Sequence, residues 1–168
     1  MKLKIRRSIK DDIDKIYDLH NKCFEPGDQW YKSYIIQYLE NSFVIENNET
    51  KELFGVLLQG PIIAFNLNET LELINKSGEI FKDQKLYLEP IQGITMLCVH
   101  PDFRNKGLAS KLIELHLKEH KNELICLHTR KSNPAFNLYK KYGYEHIVTI
   151  KEKYYSPTED SYFMILSN

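Results

Sequence analysis

The segment VHPDFRNKGLAS, Val99 to Ser110, sets Arg104, Gly107 and Ala109 in an R-x-x-G-x-A spacing between an apolar run and a helical pattern. The first N–H groups of a helix have no partner inside it, and they carry about half a positive charge. Gly107 and the small Ala109 let backbone and ligand approach closely, while Arg104 and Lys106 add mobile positive charge. Such a set of donors suits a phosphate or pyrophosphate. The same spacing also serves a plain strand-to-helix turn. It is no Walker loop, because no G-K-[ST] follows, and with one of three glycines it is a poor dinucleotide fingerprint. His128, in CLHTRKSN, is the second residue with chemical reach. An unperturbed imidazole with a pKa of about 6.5 is mostly neutral at pH 7 and can accept a proton. The alternative is a histidine satisfied within a sheet.

These residues need elements to hold them. KLKIRRS alternates as a strand, and Ser8 with Asp11 has capping-box spacing ahead of a helix carrying Ile13, Ile16, Tyr17 and His20. FEPGD breaks that helix, and Asp28 is placed to cap a second one with Trp30, Tyr34 and Tyr38 on one face. SFVIE and LFGVLLQG read as two antiparallel strands around NNETK. Residues 60–92 read as an insertion or lid with a short helix near Glu69–Asn75. GITMLCV, Gly93–Val99, is almost wholly apolar and is expected to be buried on both faces. A helix with Leu108, Leu112 and Leu115 inside follows, then the strand LICLHT, a helix opened by Pro134 and stopped by Gly143, and two closing strands, EHIVTIKEKYY and SYFMIL. His116 and His120 are expected on the charged, solvated side of their helix, without a metal.

The bulk numbers narrow the classes. A chain of 168 residues is read as one α/β domain, 1–168. Lys plus Arg equals Asp plus Glu at 23 each, which argues against a general nucleic-acid binder. No apolar run approaches the roughly 20 residues of a membrane span, and the N-terminal stretch has no apolar signal core. Cys23, Cys98 and Cys126 are far apart, and are expected as buried free thiols in a reducing cytoplasm.

VHPDFRNKGLASKLI, followed one strand later by SNPAFNLYKKYGY, resembles the GNAT superfamily of acetyl-CoA-dependent N-acetyltransferases. The resemblance covers residues 1–59 in element order and 93–166 in motifs. It implies a GNAT fold: a mixed central sheet with splayed parallel strands, flanked by about four helices. It implies acetyl-CoA as co-substrate and no metal. Leu97, Cys98 and Val99 would then face the pantetheine arm, and Arg104, Asn105, Lys106, Gly107, Leu108, Ala109 and Ser110 the pyrophosphate. Asn133 would touch the cofactor arm, and Tyr139 would protonate the leaving thiolate.

Within the superfamily, LHTRKSN, KEKYYSPTEDSYFMIL and CFEPGDQWY resemble segments of protein N-terminal acetyltransferases of the ribosomal-protein-alanine type. His128 would act as base, with Phe24, Glu25, Pro26, Tyr31, Tyr154 and Tyr155 lining a peptide slot. The expected reaction is direct attack of a protein or peptide N-terminal α-amine on acetyl-CoA in a ternary complex. An α-amine, with a pKa of about 7.7–8.0, needs a weaker base than lysine at about 10.4. A small amine or a lysine side chain is the alternative acceptor, and a non-catalytic acyl-CoA-binding module is the second alternative. An auxiliary subunit or homodimer is compatible with the same reading. Cys98 and Cys126, as buried strand thiols, are poor acyl acceptors. Some members of the N-terminal group carry a tyrosine early on the central strand; counting back from Gly107 puts that position at Gly93.

Overall fold

The computed structural model describes residues 2–25, 31–62, 91–150 and 159–167. Seven strands and four α-helices occur among them, in the order expected from the sequence: β1 (Leu3–Arg7), α1 (Ile13–Cys23), α2 (Lys32–Gln37), β2 (Phe43–Asn47), β3 (Leu53–Ile62), β4 (Ile91–Val99), α3 (Leu108–Glu119), β5 (Leu124–Arg130), α4 (Ala135–Lys141), β6 (Glu145–Ile150) and β7 (Ser161–Ser167). The strands form a mixed sheet in the order β1-β2-β3-β4-β5-β7-β6, with β4 and β5 parallel as a helical crossover requires. The chain divides into two interleaved units, Met1–Gly60 with Ile94–Glu119 and Pro61–Gly93 with His120–Asn168.

In the first unit β1 and β2 pair antiparallel with Ile5 opposite Ile45, and β2 pairs antiparallel with β3 with Ile45 opposite Gly55. A Cβ at Gly55 would lie 3.2 Å from Ile45 Cδ1 on β2 and 3.4 Å from Leu112 Cδ1 of α3, so α3 packs directly over this position. One side of the sheet buries Ile16 and Leu19 of α1, Ile35 and Tyr38, Val44, Leu53, Val56, Leu58, Met96 and Cys98 in one cluster. Arg6 binds two carboxylates at once, Asp12 at 2.6 Å and Glu46 at 2.7 Å, and so ties β1 to the start of α1 and to β2. The capping pair sits one residue beyond the expected Ser8–Asp11, on the 3-10 turn Lys10–Asp12 that leads into α1. The Asp12 carboxylate accepts the Ile9 N–H at 2.9 Å, while Ser8 Oγ donates to the Leu39 carbonyl. Tyr31 occupies the N-cap position of α2 without a side-chain cap bond, and Tyr34 and Tyr38 do share a face, with ring centroids 5.4 Å apart. Asp28 and Trp30 lie outside the described residues.

Three further expectations change. β3 runs to Ile62 and β4 begins at Ile91, so the strands reach into both ends of the 60–92 insertion; the helix expected near Glu69–Asn75 lies outside the described residues. β4 is not buried on both faces, because Ile94, Met96 and Cys98 are buried while Thr95 and Leu97 are only half-buried. His116 is not solvated. It is 0% exposed, and Nδ1 lies 2.6 Å from Gln59 Oε1, so the inner stripe of α3 is Leu108, Leu112, Ile113 and His116.

In the second unit β7 lies between β5 and β6, antiparallel to both, with His128 opposite Phe163. α4 ends in a Schellman motif. Gly143 has φ +91°, its N–H donates to the Lys140 carbonyl, and the Tyr144 N–H reaches back to the Tyr139 carbonyl at 3.1 Å. The two tyrosines bracketing that motif meet edge to face, 5.8 Å between centroids.

Candidate acetyl-CoA and acceptor site

Residues 101–107 form a loop at the end of β4. A 3-10 turn, Pro101–Phe103, leads the chain off the strand, with the Arg104 N–H bonded to the Pro101 carbonyl at 3.2 Å. Asn105 has φ +59° and Gly107 φ +75°, so two left-handed residues flank Lys106. Alternation of this kind turns successive N–H groups toward one concavity, a backbone anion nest. α3 then begins, and the Lys111 N–H bonds back to the Gly107 carbonyl at 3.1 Å. A Cβ at Gly107 would meet no heavy atom within 4 Å, so space lies open beside the loop. Arg104, Asn105, Lys106 and Gly107 are exposed, Ala109 and Ser110 half-buried, and Leu108 packs inward. Lys106 Nζ bonds to the Asp102 carbonyl at 3.0 Å and rides over the Phe103 ring, which stacks on Phe54 at 4.0 Å. Arg104 Nε donates to the Val99 carbonyl at 3.3 Å.

Upstream on the same strand, Leu97 shares the half-buried face of β4 with Thr95, whose Oγ1 is buried and has no hydrogen-bond partner among the described residues. A buried hydroxyl without a partner is costly, and this one suits a ligand acceptor along the strand. Nothing in the sequence singles out Thr95, because a threonine is an ordinary strand residue. Phe24, Glu25 and Tyr31 come from the end of α1 and the start of α2. Phe24 stacks on the buried His20 at 4.5 Å, Glu25 is exposed, and Tyr31 is 82% exposed. Pro26, Tyr154 and Tyr155 lie outside the described residues.

The second unit holds the residues expected to move protons. Both ring nitrogens of His128 are shielded from solvent, and its ring lies 4.9 Å from that of Phe163. Burial lowers its pKa to about 4, so the imidazole is neutral throughout the physiological range. Tyr139 is buried on α4, and burial pushes its phenol well above the ordinary value, which keeps the proton on the oxygen. Asn133 bonds its side-chain oxygen to the Ala135 N–H at 2.9 Å; that oxygen starts α4, and the amide nitrogen is the group left to meet a ligand. Gly93 is closed to side chains. A Cβ there would lie 2.2 Å from the Cys126 carbonyl oxygen and 2.6 Å from Ile62 Cδ1. The strand tyrosine of some N-terminal acetyltransferases has no counterpart at this position. Among the described residues no three His, Cys, Asp or Glu side chains gather as a metal site would need, and no helix is long and apolar enough to cross a membrane.

An N-alpha-acetyltransferase of Sulfurisphaera tokodaii is 24% identical over 96% of this chain and 90% of its own length. Cysteine-rich protein 2-binding protein of mouse is 35% identical over 37% of this chain, and that match spans only 8% of the mouse protein. The crystal structure of Arabidopsis thaliana NAA60 in complex with acetyl-CoA shares the fold, with a TM-score of 0.74 at 16% identity over 99% of this chain and 100% of that one. The model of the acetyltransferase (GNAT) domain matches residues 62–146, just over half the chain and including the nest and Tyr139. With that match, the chain belongs to the GNAT acetyltransferase family.

Proposed function

We propose that this chain, read as a single GNAT domain, transfers the acetyl group of acetyl-CoA to the N-terminal α-amine of a protein or peptide, by direct attack within a ternary complex. The observation that carries the reading is the backbone nest of Asn105 and Gly107 at the open end of α3, a shape suited to a pyrophosphate. The activity for which the Sulfurisphaera tokodaii relative is named supports the α-amine as acceptor.

In this reading Arg104 to Ser110 hold the pyrophosphate, Asn133 touches the cofactor arm, and Leu97, Cys98 and Val99 offer backbone groups to the pantetheine. A strand N–H steadies the thioester oxygen as charge builds on it. The acetyl thioester supplies the acyl group. Tyr139, kept protonated by burial, gives its proton to the departing thiolate. Neutral His128 receives a proton from the attacking nitrogen once attack has made that nitrogen acidic. Phe24, Glu25 and Tyr31 line the peptide entrance.

CoA release from acetyl-CoA in the presence of short peptides, the same peptides with blocked N-termini, free lysine derivatives and polyamines tests this. Turnover that requires a free α-amine is expected. Turnover on polyamines or lysine alone would replace the acceptor, and CoA binding without any turnover would replace the enzyme by a binding module.

A further inference from the structure

The three thiols stand in different surroundings. Cys126 is buried in the second unit, its Sγ directed at the Ile91 carbonyl, and burial pushes it up to about 12. Cys23 closes α1 in the first unit and is half-buried. Its S–H donates to the Val99 carbonyl at 3.4 Å, the same oxygen that accepts from Arg104 Nε at 3.3 Å. A guanidinium and a thiol therefore meet at one acceptor. Cys98, the residue before Val99, is 5% exposed and sits in the core cluster against which Cys23 packs. Cys98 is the largest influence on Cys23 and lowers it; burial opposes this, Arg104 reinforces it, and the thiol is brought down to about 7. Cys98 is driven the other way, by Cys23 and by burial.

We propose that Cys23 and Cys98 are a modification site for peroxides, with Cys23 as the attacking sulfur and Cys98 as the resolving one. Of the three thiols Cys23 is the one not fully buried, the Arg104 guanidinium shares its carbonyl acceptor, and Cys98 lies in the cluster it packs against. The Cys23 thiolate attacks one oxygen of hydrogen peroxide; the O–O bond breaks, giving Cys23 sulfenic acid and hydroxide. The Cys98 sulfur then attacks the sulfenic sulfur, the S–O bond breaks, and the disulfide forms with loss of water. Two thiols give up two electrons and two protons, and one peroxide becomes two waters. The step uses no part of the acetyl-transfer reading and stands or falls apart from it.

The test takes the full chain, reduced and desalted, and exposes it to a small molar excess of hydrogen peroxide. Unfolding in N-ethylmaleimide and peptide mapping follow. The expected product joins the Cys23 and Cys98 peptides, is reversed by dithiothreitol, and leaves Cys126 as its maleimide adduct. In Cys23→Ser, Cys98 is expected to be recovered as its maleimide adduct at the same peroxide dose. On the untreated native chain at pH 7, iodoacetamide should label Cys23 at least about tenfold faster than Cys126; this readout needs no variant. Cys23 ending as a sulfinic acid without a cross-link would overturn the proposal. So would oxidation of Cys126 at the same rate, or oxidation of Cys98 in Cys23→Ser as fast as in the parent chain.

Discussion

An imidazole held at a pKa of about 4 cannot strip a proton from an ammonium near 8 without a cost of about 5 kcal/mol. At pH 7 roughly a tenth of such an α-amine is already neutral, at a cost of only about 1.4 kcal/mol. The cheaper course is for the amine to arrive neutral and for His128 to act later, once attack has begun. The pH dependence of kcat/KM should therefore rise through the acceptor's own pKa near 8 and show no inflection near 6.5. A stopped assay of peptide acetylation between pH 5.5 and 9 checks this. Tyr139→Phe should lower kcat by about 10²-fold or more, with little change in acetyl-CoA affinity, because it removes a proton donor and leaves the nest intact. Arg104, Gly107 and His128 could be singled out from residue type and spacing. Two other features could not. Cys23 gains its character from Arg104 and Cys98, distant in sequence and joined to it only by packing of α1 against β4. His116 looked solvated because its neighbours are charged, and only the packing of β3 supplies Gln59 as its partner.

At the scale of elements, the conformation of the loop between β4 and α3 bears on the proposed pyrophosphate binding. Gly107→Ala adds a methyl that meets no neighbour within 4 Å, so its structural cost is that of placing alanine at φ +75°, about 1–2 kcal/mol. The same methyl enters the space assigned to the pyrophosphate. Titration with CoA should show a loss of affinity of about tenfold or more, while denaturant unfolding shows only that small loss of stability. Element order was legible because apolar periodicity and the Gly and Pro signals mark each strand and helix. Element ends were less so. β3 and β4 extend past their apolar cores because pairing with neighbours, not side-chain type, sets where a strand stops. The position of β7 between β5 and β6 is a long-range pairing that no local pattern announces.

Across the whole molecule, buried ionisable groups set the response to acid. Burial lowers His128 to about 4 and also lowers His20, against a weaker opposing bond from Asn21. The unfolded chain protonates both near 6.5 and the folded chain does so at lower pH, so stability is full above 6.5 and falls as pH drops. His128 alone removes up to about 3 kcal/mol by pH 4. Asp12 acts lower on the scale. Burial would raise its carboxyl, but the bonds from Arg6 and the Ile9 N–H outweigh burial and hold it below the ordinary range. That support is present above about 3.9 and lost as pH falls through the folded value. Urea unfolding from pH 7 to 4 should show the midpoint falling, and His128→Gln should flatten the fall. The closed space at Gly93 bears on which sequences the fold admits. In a scan of every single substitution, with cellular abundance and acetylation scored separately, position 93 should be blank in both, since even a methyl overlaps the Cys126 carbonyl. Position 107 should split the two scores, with variants that accumulate but do not turn over. A lineage with this strand spacing could not acquire a tyrosine at 93 by one codon change; the backbones of β4 and β5 would first have to part.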